Sequence, residues 1–183
     1  MDIKEIPTIK TDRLILRPYV LADAPSLKRL IGEKDVAATT INIPHPYPDQ
    51  GADDWIKIQA EDFLKGTQLQ FAITTNGDLI GGIGFDQLEI RHARGGIGYW
   101  IGKPYWNNGY CTEAAKTVLK FGFLTLGFNR IHATCMVNNI GSSRVLQKIG
   151  MKKEGVLRQY YKRWGTYRDM EMYSILKGEY NGD

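Results

Sequence analysis

One glycine-containing loop has the residue types and the placement of an anion-binding site. It reads WNNGYCTEAAK, from Trp106 to Lys116, and lies between a strand-like segment and a helix-like segment. A strand that feeds such a loop into a helix leaves several backbone N–H groups unpaired at the positive end of the helix dipole. Gly109 permits close approach or a positive φ, and Tyr110 to Thr112 supply successive amides. Phosphate is the usual occupant of such a site, although Thr112 or Asn108 could instead simply cap a core helix.

Hydrophobic periodicity predicts the elements on either side of this loop. Before it, the segment from Gly96 to Ile101 is typical of a strand. After it, small and apolar residues recur at helical spacing, and Gly127 stands where a helix is expected to stop. The residues of this helical stripe are Ala115, Leu119, Gly122, Phe123 and Leu126. The loop is therefore predicted to join a strand to a helix, as an anion site of this kind requires.

The other segments predict an α/β fold of the α+β kind, a mixed, mostly antiparallel sheet with helices packed on it. Asn76 and Gly77 indicate a hairpin turn, and the proline-rich run from Ile41 to Gly51 indicates a loop. No repeat or linker divides the chain, so residues 1–183 are predicted to form one domain. The helix predicted from Ala52 to Lys65 is expected to bury Trp55, Ile58 and Phe63. The remaining strands are predicted at Arg13–Arg17, Leu69–Thr74, Leu79–Gln87, Ile131–Val137, Gly155–Tyr161 and Tyr167–Leu176, and further helices at Asp23 onward and Ile140–Ile149.

Composition limits the classes of protein to which the chain can belong. Of its 183 residues 43% are hydrophobic and 24% are charged, which is typical of one globular domain. The run MDIKEIPTIK is too charged for a signal peptide and no apolar run is long enough to span a bilayer, so we expect a soluble cytoplasmic protein. Cys111 and Cys135 have no metal-ligand spacing, so we expect no metal and two small, largely buried side chains.

The charge pattern favours a mixed, solvated surface over a nucleic-acid interface. The net charge of +4 is small and the basic residues are spread along the chain, although an acidic partner such as RNA or a phosphorylated cofactor would suit it. One concentration, from Lys152 to Arg168, interleaves basic residues with tyrosines and a tryptophan. Nucleic-acid-binding proteins show such interleaving, but the two faces of a strand hairpin produce it equally.

Four stretches of sequence, taken in order, resemble one known family. They are TDRLILRP from Thr11, GYWIGKPYWNNGYCTEAAK from Gly98, NNIGSSRVLQKIGMKKEG from Asn138 and GTYRDMEMYSIL from Gly165. The second is similar to the pyrophosphate-loop motif of the GNAT acetyltransferase superfamily, in the branch of ribosomal-protein N-acetyltransferases of the RimJ and RimL type. Because the four stretches span nearly the whole chain, their agreement in order is far more specific than that of any one motif.

The resemblance implies acetyl-coenzyme A as donor and direct transfer of its acetyl group to an amine. Trp106, Gly109 and Cys111 occupy the places of the family pattern Gln/Arg-x-x-Gly-x-Gly/Ala, and only the glycine is identical to it. The loop amides are implied to hold the pyrophosphate, and the strand from Gly98 to Ile101 to pair with the pantetheine arm and stabilise the tetrahedral oxyanion. The implied cofactor-binding residues are Tyr99, Trp100, Ile101, Asn107, Asn108, Gly109, Tyr110, Cys111 and Thr112, with Asn139 from the next motif.

Asn139 and Ser142 match the family's N-x-x-S element and are the catalytic residues that the resemblance implies. Asn139 is implied to hydrogen-bond the pantetheine arm, and Ser142 to donate a proton, directly or through water, to the departing thiolate. Related enzymes outside this branch often use a tyrosine four residues later as the acid, and here that place holds Leu146. Both residues also have a structural reading, because Asn139 is a good N-cap for the following helix and Ser142 can satisfy its first turn.

The expected general base is missing from the sequence. Many members of the branch have Ala-Glu-Ile-Gly-Tyr-Trp before the loop, with the glutamate placed to take a proton from the amine, but here Gly96 stands in its place. Asp86, Glu89 and His92 lie just upstream as alternatives, and each is also typical of a solvated turn. An α-amino acceptor, with a pKa near 8, needs less help from a base than a lysine does.

The acceptor pocket is expected between the proline-rich loop, with His45 and Tyr47, the helix around Trp55, and the carboxy-terminal hairpin. The leading hypothesis is an acetyl-CoA-dependent N-acetyltransferase that acts on a protein N-terminal amino group, of the ribosomal-protein type. A small amine, such as a polyamine or an amino-sugar antibiotic, is an alternative acceptor. Loss of the glutamate at Gly96 also fits a module that binds acetyl-CoA without catalysis. The sequence leaves the oligomeric state open, with a dimer among the alternatives.

Overall fold

The fold is a single eight-stranded sheet with helices on both faces, seen in a computed structural model that describes residues 3–182. Met1, Asp2 and Asp183, at the ends of the predicted domain, lie outside the described residues. The strands are β1 Ile9–Lys10, β2 Ile15–Arg17, β3 Leu69–Thr75, β4 Asp78–Glu89, β5 Arg94–Ile101, β6 Arg130–Met136, β7 Lys152–Arg163 and β8 Thr166–Leu176. The α-helices are α1 Ala24–Ile31, α2 Lys34–Thr39, α3 Gly51–Lys65, α4 Tyr110–Leu124 and α5 Ile140–Lys148.

The sheet is mostly antiparallel, as the sequence predicts. Its strands lie in the order β1-β2-β3-β4-β5-β6-β8-β7. The predicted hairpin turn lies between β3 and β4, where Asn76 and Gly77 have φ values of 50° and 88°. Both residues are therefore in the left-handed region that a tight hairpin turn of this kind requires. The parallel pair is formed by β5 and β6, and α4 makes the crossover between them.

The parallel ladder between β5 and β6 is short. Its register pairs are Arg94 with Arg130, Gly95 with Ile131 and Gly96 with His132. Beyond Gly96, β5 continues to Ile101 paired only with β4, and β6 continues to Met136 paired only with β8, within the described residues. The two strands diverge, and a notch opens in the middle of the sheet.

Two hydrophobic clusters cover the two faces of the sheet. On one face α4 and α5 pack on Phe85, Ile97 and Ile131. The α4 backbone comes close to the sheet at Gly122, where an added Cβ would lie 2.7 Å from Phe85 Cζ. On the other face α1 and α3 pack on Ala72, Leu79 and Trp100. The notch is therefore open to two different environments, one on each side of the sheet.

Short elements and surface positions differ from the expectations. Strand β1 and helix α2 lie where the sequence predicts no element, and β2 begins at Ile15 instead of Arg13. The predicted burial of Ile58 is wrong, since 47% of the residue is exposed, while Phe63 on the same helix is buried. The reason is that α3 touches the sheet along a narrow stripe, so a single apolar residue outside it faces solvent.

A carboxylate on α4 anchors the amino-terminal strands to the loop. Glu113 accepts hydrogen bonds from Thr11 Oγ1 at 2.6 Å, from the Arg13 backbone amide at 2.9 Å and from Arg13 Nε at 2.7 Å. Although its partial burial acts in the opposite direction, these donors hold the pKa of Glu113 below its ordinary value of 4.5. This cluster, called the Glu113 brace below, fixes the first turn of α4 relative to β2.

Glu113→Gln is expected to lower the free energy of unfolding by about 1–3 kcal/mol at pH 7, because it replaces the charged acceptor of three hydrogen bonds with a neutral amide. The folded pKa of Glu113 is depressed, so its contribution is present above pH 4.5 and is lost as the pH falls through the folded pKa. Urea unfolding at pH 7 and at successively lower pH checks this result.

The matched control is Glu61→Gln on α3, which breaks an exposed pair with Lys65 and is expected to change stability by at most about 0.5 kcal/mol. Equal losses for the two variants, or a Glu113→Gln deficit that does not shrink in acid, would contradict the brace.

Candidate functional site

The loop between β5 and α4 has the backbone geometry of an anion site. Gly109 has a φ of 78° and Asn107 a φ of 63°, so the chain turns back on itself just before the helix. Asn107, Asn108 and Gly109 are exposed. Among the described residues no acceptor takes a hydrogen bond from the backbone amides of Asn107 to Thr112, and the first one used is that of Glu113. All six amides precede α4 or lie in its first turn, where the helix dipole is positive.

Side chains of the loop and of the amino-terminal segment hydrogen-bond to the loop backbone and to the end of β5. Trp106 Nε1 donates to the Ile101 carbonyl at 2.7 Å, and Asn108 Nδ2 donates to the Trp106 carbonyl at 2.9 Å. The Arg13 guanidinium lies 4.7 Å from the centre of the Tyr110 ring and donates to the Asn108 carbonyl at 3.0 Å. Arg13, which is also paired with Glu113, therefore places its guanidinium beside the free amides. The sequence analysis did not assign these roles to Arg13 and Glu113. Arg13 does lie in the TDRLILRP stretch, which resembles the family.

Tyr99 and Ser142 meet across the α4 side of the notch. The two hydroxyl oxygens are 2.9 Å apart, and the Tyr99 hydroxyl also lies 3.2 Å from the Ser142 carbonyl, to which it donates. Burial raises the pKa of Tyr99, so its hydroxyl stays protonated at neutral pH. The structure thus brings together a residue that was predicted to bind the cofactor and one that was predicted to be the acid.

Asn139 performs the structural role that its position predicts. Its Oδ1 accepts from the Ser142 amide at 3.1 Å and caps α5, and its Nδ2 donates to the Thr39 carbonyl at 3.3 Å. The second bond ties α5 to the end of α2. A contact between Nδ2 and a pantetheine amide would replace that bond, while the cap through Oδ1 would remain.

The predicted strand residues divide between the two faces. Trp100 packs in the α1 and α3 cluster, whereas Tyr99 and the buried Ile101 face α4. Beyond Gly96 the β5 edge that faces the notch has no strand partner among the described residues. The backbone of Trp100 and Ile101 and the hydroxyl of Tyr99 therefore border the notch.

The two thiols have the character of packing residues. Burial raises the pKa of the half-buried Cys111 to about 12. Burial, followed by the Glu171 carboxylate, raises that of the buried Cys135 to about 11. Both are therefore thiols at neutral pH and poor nucleophiles. This outcome agrees with the expectation of small, largely buried side chains.

On the α1 and α3 side, the proline-rich loop and the β7–β8 hairpin are joined. Arg163 donates to the carbonyls of Ala37 at 2.9 Å and Ile41 at 3.1 Å, and it also contacts the Ile43 carbonyl. Tyr161 donates to Asn42 Oδ1 at 2.7 Å. The elements predicted to form the acceptor pocket therefore lie together, and Arg163 and Tyr161, which sequence reasoning missed, connect them.

The three upstream candidates for the base lie in different surroundings. Glu89 is paired with Arg94 at 2.6 Å and His92 is exposed. Asp86 lies opposite Gly96 in the β4–β5 ladder. Its carboxylate is half-buried, and it alone of the three points over the β5 strand at the start of the notch.

The residues present fit coenzyme A. Free amides, a helix amino terminus and Arg13 suit a pyrophosphate, and an unpaired strand edge suits an amide-containing arm. No group of His, Cys, Asp and Glu side chains in residues 3–182 is arranged to hold a metal ion. None of the helices that the structure describes is long and apolar enough to cross a membrane.

Comparison with known proteins agrees with this geometry. The family model described as "Acetyltransferase (GNAT) domain" matches residues 13–152. A Bacillus subtilis protein named as the N-acetyltransferase YnaD is 39% identical over 174 residues, which cover 94% of this chain and 99% of that protein. YdaF, named as a ribosomal N-acetyltransferase of the same organism, is 31% identical over 130 residues, which cover 71% of this chain and 69% of YdaF.

Among solved structures, RimL, described as a ribosomal L7/L12 α-N-protein acetyltransferase in complex with coenzyme A, superposes with a TM-score of 0.85. The match covers 97% of this chain and 100% of RimL at 20% identity, and it shows a shared fold. The family model spans most of the chain and the notch of the sheet lies beside the free amides of the loop. The chain therefore belongs to the GNAT acetyltransferase family and is an acetyl-CoA-dependent N-acetyltransferase.

Proposed function

We propose that this N-acetyltransferase transfers the acetyl group to the α-amino group of a protein N-terminus, with a ribosomal protein as the leading class of acceptor. The main structural support for acetyl transfer is the notch between β5 and β6, which has the free amides of Asn107 to Thr112 at its end. Support for the acceptor comes from the ribosomal names of YdaF and RimL. An α-amino group, with a pKa near 8, also suits a site without the family's glutamate.

Each part of the site has a defined task in this proposal. When bound, acetyl-CoA supplies the thioester whose acetyl group is transferred. The amides of Asn107 to Thr112, with Arg13, bind the pyrophosphate, and the free edge of β5 orients the pantetheine arm. Ser142 donates its hydroxyl proton to the leaving sulfur. Tyr99 keeps the Ser142 hydroxyl in place through their 2.9 Å contact and can return a proton to it.

Gly109→Pro is expected to abolish coenzyme A binding, because proline cannot adopt a φ of 78° and carries no amide hydrogen. Isothermal titration with coenzyme A measures the affinity, and circular dichroism reports whether the chain folds. The matched control is Gly109→Asn, which keeps the amide and tolerates a positive φ, and is expected to retain most of the affinity. If the proline variant and the unaltered chain bind coenzyme A with equal affinity, the loop is not part of the binding site.

Ser142→Ala is expected to lower kcat by about 10²-fold with little change in the affinity for coenzyme A, because the departing thiolate loses its proton donor. Steady-state release of free thiol gives kcat. Ser143→Ala is the control, since Ser143 lies next along α5 and its hydroxyl contacts Tyr173 at 2.8 Å instead of Tyr99. An unchanged kcat for Ser142→Ala shows that the acid lies elsewhere.

Acceptor profiling is expected to find turnover with peptides that have a free α-amino group and much less with the same peptides blocked at the N-terminus but carrying lysine. Mass spectrometry locates the added acetyl group. Preference for spermidine or an amino sugar over every peptide would assign a small amine as the acceptor. Tight binding of acetyl-CoA with no turnover on any amine would indicate a silent binding module.

A further inference from the structure

The place of the missing glutamate is filled from the neighbouring strand. A Cβ added to Gly96 would lie 2.5 Å from Asp86 Oδ1 and 3.3 Å from His132 Nε2. A separation of 2.5 Å is shorter than any normal contact, so residue 96 has no room for a side chain while Asp86 occupies that space. The absence of the glutamate and the presence of Asp86 are therefore two parts of one arrangement.

Asp86 lies on the acceptor side of the sheet, where the notch begins. Side chains alternate along a strand, so Gly96, Gly98 and Trp100 share the face that α1, α3 and the proline-rich loop cover. Asp86 pairs with Gly96 on that same face. A Cβ added to Gly98 would find one atom within 4 Å, Asp86 Oδ2 at 3.7 Å. The space above Gly98 is thus open, and the Asp86 carboxylate borders it.

Within the described residues, the Asp86 carboxylate has no side-chain partner that would give it a structural role. Among residues 3–182 no cation forms an ion pair with Asp86 and no other side chain donates a hydrogen bond to it, and its own backbone amide is its donor. Desolvation by burial raises the pKa of Asp86 above its ordinary value of 3.8, against that bond. An unpaired, partly buried carboxylate of raised pKa in a cleft is a stronger base than an exposed one and is typical of functional sites.

We propose that Asp86 is the general base of this enzyme and replaces the glutamate that the family has at the position of Gly96. The inference rests on the proposed transfer to an amine. The Asp86 carboxylate takes one proton from the acceptor ammonium, and the freed nitrogen lone pair forms a bond to the acetyl carbon. As the carbon–sulfur bond breaks, sulfur keeps the bonding electrons and takes a proton from Ser142. Tyr99 and Ser142 recover that proton from the amide nitrogen through water, and Asp86 releases its own to solvent.

His132 is the other titratable group that faces this space, from β6. Burial, with Arg130 and Arg94, lowers the pKa of His132 below 6.5, which weakens it as a base. Its ring approaches the Gly96 position but has no atom within 4 Å of the Gly98 position. A neutral imidazole also lacks the negative charge that attracts an ammonium group. The other charged groups that act on His132 are Arg130, Arg94, Glu89 and Glu154. The first three of them line a cavity of about 160 Å³ together with His132, Gln87 and Met172.

The first test is Asp86→Asn, assayed with acetyl-CoA and the amine that the unaltered chain acetylates best, peptide or spermidine. At pH 7 we expect kcat/KM to fall by about 10²–10⁴-fold with unchanged affinity for coenzyme A. The pH profile should also change. Rates of the unaltered chain should level off below the pKa of the amine, whereas those of the variant should rise until the amine itself loses its proton. Glu89→Gln, which alters another carboxylate of β4, is expected to keep the activity and profile of the unaltered chain.

The second test moves the carboxylate from position 86 to position 96. Asp86→Gly should lose activity as Asp86→Asn does. Asp86→Gly combined with Gly96→Glu should recover about tenfold or more of that loss. The reason is that removing the Asp86 side chain frees the space beside residue 96. Circular dichroism and coenzyme A affinity show whether each variant is folded.

The outcomes separate the two proposals. If the unaltered chain acetylates only small amines, the proposed acceptor is wrong while the Asp86 tests remain valid. Full activity of Asp86→Asn, or a loss found only in His132→Gln, overturns the role of Asp86. No turnover by the unaltered chain with any amine overturns both proposals.

Discussion

The β5–β6 ladder ends early, and the layout of the candidate site follows from where it ends. A parallel pair normally continues along the full length of both strands, but here it ends at Gly96 and His132. The neighbouring strands compensate, because β4 holds one side of β5 and β8 holds one side of β6. The backbone groups that would have paired across the gap are left free, and a ligand with amide groups of its own can satisfy them.

The divergence also separates the chemistry onto two sides of the sheet. Ser142 and Tyr99 lie on the side of α4 and α5, where the loop amides are. Asp86 lies on the side of α1 and α3, where the Arg163 contacts hold the proline-rich loop. In the proposed reaction, the proton donor for the leaving sulfur and the proton acceptor for the incoming amine therefore lie on opposite sides of the sheet.

Much of this arrangement was readable from the sequence, since the information was local. The strand, loop and helix around Gly109 follow from periodicity and turn chemistry, and the hairpin at Asn76 and Gly77 follows from two residues. Contacts between distant parts of the chain were not readable. Glu113 contacts Arg13, and Arg163 donates to the carbonyl of Ala37. Each contact joins residues that lie 100 or more positions apart, and neither alters the hydrophobic periodicity of the segments involved. The shared space of Asp86 and Gly96 depends on strand register, which a bulge after Asp86 makes harder to infer.

In the proposed function, the free amides of the loop and the free edge of β5 form one binding surface for coenzyme A. Amide resonances recorded during a titration with coenzyme A test it most directly, because they report each backbone N–H separately. We expect the largest shifts in Asn107 to Thr112 and in Ile97 to Ile101. Shifts confined to the cavity around Gln87, Arg94 and Arg130, with the loop amides unchanged, would contradict it.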